Sequence, residues 1–210
     1  MKKILAILCL ALLLGCSSGL SIDGHIEKLE KLGIQVSDSL ETSIDPKTVE
    51  INGTVYQDMI YMYILIQSGI GEYDEEKFAY VPTNETVYVF DAEAINIDNM
   101  YANLCDGLSS ITKDDFVIEN VKQEVIEESE DGIGMYQIEF TINGNVYTAE
   151  AEMRYDWIDT NFMSYVNEAI EKEGYDNRLY YTWYTQEVVV LYRDRDWVDE
   201  FEALTEIELY

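Results

Sequence analysis

An α+β fold, an antiparallel sheet built from hairpins with helices packed mainly on one face, is what this chain of 210 residues predicts, and three observations predict it. Asn-Gly stands between β-forming residues twice, in INGTVY at residues 51–56 and in INGNVY at residues 142–147. That dipeptide is a strong hairpin signal because a type I′ turn needs positive φ at both central positions. Around the second turn, residues 136–151 alternate so that the apolar side chains share one side, as in a sheet that is wet on the other. Strands then come in adjacent runs separated by helical patterns, an order that speaks against a parallel α/β sheet.

The elements follow in chain order. Ile22, Ile26, Leu29 and Leu32 stand at helical spacing, with Gly33 as a stop, and the single histidine, His25, lies on this helix. Residues 37–46 are a polar loop, and the first Asn-Gly hairpin comes next. Residues 59–66 are apolar all round, so periodicity does not separate a buried helix from a central strand; a helix is expected, capped by Asp58 and ended by Gly69. A strand over 86–91 precedes a helix whose apolar face is Met100, Tyr101, Leu104, Cys105 and Leu108.

Residues 116–126 form a third strand that turns at Asp131-Gly132 into the second Asn-Gly hairpin. With Asn143-Gly144 as its turn, Phe140 faces Tyr147, Ile138 faces Ala149 and Tyr136 faces Ala151 on the apolar side. Thr141 with Val146, Glu139 with Thr148 and Gln137 with Glu150 fall on the wet side. Ile158, Phe162, Tyr165, Val166, Ala169 and Ile170 mark a helix with Asp159 as its expected N-cap and Gly174 at its end. A last hairpin turns at Thr185-Gln186, with Leu179, Tyr181, Trp183, Val188, Val190 and Tyr192 on its core face. A helix from Asp196 turns Trp197, Phe201 and Leu204 inward, and a short strand over 207–209 closes the chain. The likeness between the two INGxVY pieces stops at their edges, so a duplicated domain is not supported.

The N-terminus carries an address. Lys2 and Lys3 precede eleven uncharged residues, 4–14, the charged and apolar regions of an export signal. At roughly 1.5 Å per residue such a run covers about half of a ~30 Å hydrocarbon core, which is too short for a transmembrane helix. Leu13-Leu14-Gly15-Cys16 resembles the lipobox of bacterial lipoproteins. That resemblance implies diacylglycerol on the Cys16 thiol, cleavage just before it, and a membrane-anchored, extracytoplasmic protein held by lipid. The expected organisation is a signal peptide over 1–15, a flexible tether over 16–21 and an acidic α+β domain over 22–210, with 22–112 and 113–210 as its lobes if it divides. Cys9 leaves with the signal and Cys16 takes lipid, so Cys105 has no partner for an internal disulfide.

Composition narrows the partners. Asp and Glu number 42 against 13 Lys and Arg, a net charge of −29 that becomes −31 once Lys2 and Lys3 leave with the signal. Binding nucleic acid needs a basic footprint that such a surface does not offer. Anionic lipid headgroups repel the domain, so the lipid on Cys16 is its expected membrane contact. Acidity serves solubility, or it meets a cationic partner such as a basic protein. The 48% apolar and 12% aromatic content calls for a packed core, not disorder.

Reactive constellations are sparse. One histidine near the tether leaves His-based triads without a base, and Cys105 on an apolar helix face reads as a packed thiol. Ser110-Ile111-Thr112-Lys113 matches S-x-x-K, but S-D-N and K-T-G are missing. Asp156 and Asp159, flanking Trp157, are the carboxylate pair to consider for glycoside hydrolysis, with capping as the plainer role. No loop fits an EF-hand, since Ile138 falls at the twelfth position when Gly132 is set at the sixth. The acids Asp194, Asp196, Asp199 and Glu200 read as a solvated helix start. No cofactor or metal is expected. Tyr180, Thr182, Tyr184, Val189 and Leu191 make the outer face of the last hairpin apolar, so it is either covered or a platform on which Tyr180 and Tyr184 hold a glycan or a partner protein. The expected function is a non-enzymatic binding module for a cationic protein or a glycan; the alternatives are a glycan hydrolase using a carboxylate pair and an inhibitor or immunity-type lipoprotein.

Overall fold

The computed structural model describes residues 21–38, 40, 48–51, 54–57 and 59–210; the expected export signal, Cys16, Asp58 and most of the polar stretch 37–46 lie outside the described residues. Helix α1 (Ile22–Lys31) begins where the Ser21 hydroxyl accepts the Gly24 amide, and the chain leaves it through Gly33 at φ +75°. Strands β1 (Thr48–Ile51) and β2 (Thr54–Gln57) pair antiparallel with Ile51 opposite Thr54, the register of a two-residue hairpin. The ambiguous apolar run is a helix, α2 (Ile60–Gly69), buried on nearly every side because it packs against both α1 and a sheet. Two three-residue strands that sequence reading passed over, β3 (Glu72–Asp74) and β4 (Ala79–Val81), form the next hairpin.

Strand β5 (Tyr88–Asp91) and a 3-10 turn at Ile97–Asn99 lead into α3 (Met100–Thr112), whose expected face, Met100, Tyr101, Leu104, Cys105 and Leu108, is buried. Strands β6 (Ile118–Glu128), β7 (Ile133–Ile142) and β8 (Asn145–Arg154) form one antiparallel sheet in that order. All six cross-strand pairs read from the second Asn-Gly turn are present. The tip of that hairpin is also clamped: Asn143 and Asn145 side-chain amides donate to Glu173 at 3.0 and 2.8 Å, and the Tyr147 hydroxyl donates to the same carboxylate.

Helix α4 (Phe162–Lys172) starts later than expected. Asn161 holds the N-cap position without a side-chain bond, and Asp159 instead turns the preceding loop. Strands β9 (Arg178–Tyr184) and β10 (Glu187–Arg193) pair in the expected register around Thr185-Gln186. Helix α5 (Arg195–Thr205) is capped by the Asp194 carboxylate, which accepts the Trp197 amide at 2.8 Å. The expected strand over 207–209 is not one. Tyr210 alone exchanges both backbone hydrogen bonds with Tyr181, at 2.8 and 3.0 Å.

The order β5-β10-β9 makes β10 the middle of an antiparallel sheet, and every residue of β10 except Arg193 is buried. Alternation then sorts side chains between two cores. Tyr88, Phe90, Val188 and Val190 face α3, α4 and the inner side of the β6-β7-β8 sheet. Val89, Val189, Leu191 and Tyr184 face α1, α2 and α5. The class is therefore α+β, with helices on both faces of the β5-β10-β9 sheet and on a single face of β6-β7-β8. Fully burying one Leu, Ile or Val contributes about 1.5–3 kcal/mol, so this doubly covered strand contributes disproportionately to the fold.

Candidate binding cleft

Strand β5 lies at the edge of its sheet, and the β3–β4 hairpin stands beside it. The hairpin turns without glycine at its centre: one Asp74 carboxylate oxygen accepts the amides of Glu76 and Lys77 at 2.8 and 3.1 Å, and Phe78 takes φ +50°. Two contacts fix it, the Asn96 side-chain amide donating to the Lys77 carbonyl at 3.2 Å and Lys77 pairing with Asp106 of α3 at 3.7 Å. Between hairpin, β5 and α3 lies a cleft of about 210 Å³.

Its walls are apolar and aromatic, with Tyr88, Phe90, Met100 and Leu104 inside and Phe78 and Tyr80 exposed at the mouth. Tyr88 is packed so closely on α3 that a Cβ at Gly107 would meet its ring at 1.9 Å. Burial raises the Tyr88 phenol far above its ordinary range, so it stays neutral.

The lining also includes three carboxylates, those of Asp91, Glu93 and Glu187, and no lysine or arginine is among the lining residues. Asp91 and Glu187 are direct partners across the β5–β10 ladder, a like-charge juxtaposition that costs stability. Glu187 is 6% exposed, and the Thr185 hydroxyl donates to it at 2.7 Å. The Gln186 side chain donates to Glu93 at 2.6 Å. Burial, and then the negative charges of Glu187, Glu93 and Asp156, raise the Asp91 carboxyl above its ordinary value, while the Glu93 amide on its Oδ1 at 2.9 Å pulls the other way. Such a cleft suits a cation on an apolar stem: aromatic rings take the stem and carboxylates take the charge.

The residues singled out from sequence fall elsewhere. Asp159 clamps β8 to α4: Oδ2 accepts the Glu152 amide at 2.9 Å, Oδ1 accepts the Asn161 amide at 3.0 Å, and its own amide donates to the Tyr101 hydroxyl at 3.1 Å. Asp156 instead adds to the negative field at Asp91, so the two acids serve different places. Tyr184 is buried and Tyr180 half-buried, both against the α1, α2 and α5 core, and Tyr180 also lines a second cavity together with Tyr181 and Tyr210.

Ser110 donates to the Gly107 carbonyl at 2.7 Å while Lys113 pairs with Glu85, so serine and lysine do not act on each other. Burial lifts the Cys105 thiol far above its ordinary value. His25 holds its Nδ1 2.9 Å from the Ser21 carbonyl oxygen and sets its ring edge-on to Tyr61. Among the described residues no three His, Cys, Asp or Glu side chains are placed to hold a metal ion, and no helix is long and apolar enough to cross a membrane. Sequence reading missed Asp91 and Glu187. The available signal was one acid at the end of each otherwise apolar strand, VYVFD and EVVVLY. Compared with protein-family models, curated proteins and solved structures, the chain matches none.

Proposed function

We propose that this protein is a lipid-anchored extracytoplasmic module, non-enzymatic, that captures a basic segment of a partner protein in the cleft beside β5. The observation that carries the reading is the cleft itself, lined by aromatic rings and by the carboxylates of Asp91, Glu93 and Glu187, with no lysine or arginine among its lining residues. Supporting it are a net charge of −29, which draws a basic partner, and the lipobox-like Leu13-Leu14-Gly15-Cys16, which would hold the module at the outer surface of a membrane.

Binding of a labelled peptide that alternates lysine with leucine, measured by fluorescence anisotropy on the mature protein in detergent, tests the cleft. Asp91→Asn with Glu187→Gln is expected to weaken it by about tenfold or more, and the glutamate counterpart of the peptide should not bind. Raising salt from about 50 mM to about 500 mM should weaken binding further. Equal affinity for the double variant sinks the reading. The anchor has its own test: a diacylglyceryl group on Cys16 by mass spectrometry, and release into the soluble fraction on Cys16→Ser.

A further inference from the structure

We infer that the protein carries a saccharide site on the other side of its last hairpin, formed by Trp183, Tyr210 and Tyr181 together with the cavity next to them. Sequence reading assigns Tyr181 and Trp183 to the core face, and both do project to that side. However, β9 is the outer strand of its sheet, and Trp183 lies near its end, where the core no longer reaches. Trp183 is 52% exposed and Tyr210 57% exposed. Their rings are nearly parallel, 17° apart with centroids at 5.9 Å, and Tyr181 leans in at 5.7 Å from Trp183.

Burying large rings is strongly favourable, so rings left open in a packed fold are available to a ligand. These rings are also held in place. Tyr210 is fixed by its two backbone bonds with Tyr181, so stacking on it needs no ordering of a loose tail.

Alongside the rings is a cavity of about 270 Å³ that Tyr181 and Tyr210 also line. It is close in size to the smaller small-molecule sites, roughly 300 Å³. Its polar lining includes Thr160, Asn161, Ser164 and Arg178, and no acidic side chain, in a chain where acids are one residue in five. Arg178 is pre-positioned, its Nη1 donating to the carbonyls of Tyr175 and Asn177 at 2.5 and 2.8 Å.

The exposed parts of these stacked rings, next to hydroxyl, amide and guanidinium groups, match the two chemistries of a pyranose, a C–H face and a hydroxyl rim. With no acidic side chain among the lining residues, a sugar carboxylate has room against Arg178. The basic segment proposed for the β5 cleft finds no acidic side chain in this lining, so the two sites differ in chemistry.

Isothermal titration of the mature protein in detergent with cellotetraose, chitotetraose, xylotetraose and a tetragalacturonate tests the inference. At least one is expected to bind, with Trp183→Ala and Asn161→Ala each weakening it by about tenfold and leaving Tm unchanged. Both side chains are exposed, so neither loss should unfold the chain. The Asp91→Asn, Glu187→Gln double variant should bind sugar as the parent does, which separates failure here from failure of the β5 cleft. No binding by any of the four at about 10 mM, or equal binding by both single variants, overturns the site. So does self-association that Trp183→Ala abolishes while sugar binding is absent.

Discussion

Asp91 is a side chain whose charge works against the fold. The folded protein holds its proton more tightly than the unfolded chain does, because burial and three neighbouring acids disfavour the carboxylate. The ionised form therefore costs stability at neutral pH, and the cost vanishes as pH drops below the ordinary aspartate range. Asp91→Asn is expected to raise Tm near pH 7 and to leave it unchanged near about pH 3. A thermal scan at both pH values checks this, and a lower Tm for the variant at neutral pH contradicts it. This residue was not legible from sequence, since an acid closing a strand looks like any strand end until the partner strand sets Glu187 opposite. Cys105 was legible, because its apolar neighbours at helical spacing already place the thiol inside.

Among the elements, those with a strong local signal were read correctly and those shaped by long-range contacts were not. Asn-Gly fixed the β7–β8 register because Asn143 and Gly144 both adopt positive φ, at 54° and 79°, as that turn requires. The β3–β4 hairpin went unread, since its strands are three residues each and its turn is made by an aspartate carboxylate. The late start of α4 and the missing strand over 207–209 depend on contacts with β8 and Tyr181 that no local window contains. Two glycines of the β6-β7-β8 sheet separate strain from collision. A Cβ at Gly144 meets nothing within 4 Å, so Gly144→Ala should cost about 1 kcal/mol from its positive φ alone. A Cβ at Gly134 would meet the Glu127 carbonyl oxygen at 1.8 Å, beside the register shift between Val125 and Glu127, and must push β6 away. Urea denaturation of the two variants should show Gly134→Ala as clearly the worse, and the reverse order would refute this account.

For the whole molecule, the decisive arrangement is one sheet pressed between two apolar cores. Leu191 and Val190 are adjacent in sequence, and both are fully buried, yet each serves a different core. Leu191→Ala opens a cavity on the α5 side and is expected to cost about 2–5 kcal/mol. If the sheet couples the cores, amides of α3 on the far side should lose hydrogen-exchange protection as much as those of α5. Loss confined to α5 would mean that the cores open independently. The sequence patterns foretold layers and faces, but not that β5 would find β10 nearly a hundred positions later, because nothing in either segment names its mate. That pairing sets a timetable for biosynthesis. Until residues 187–193 have emerged, both cores lack the wall that the middle strand of the β5-β10-β9 sheet supplies, so the fold closes only near the end of synthesis. Nascent chains stopped short of residue 187 should therefore be digested by protease more readily than the whole chain.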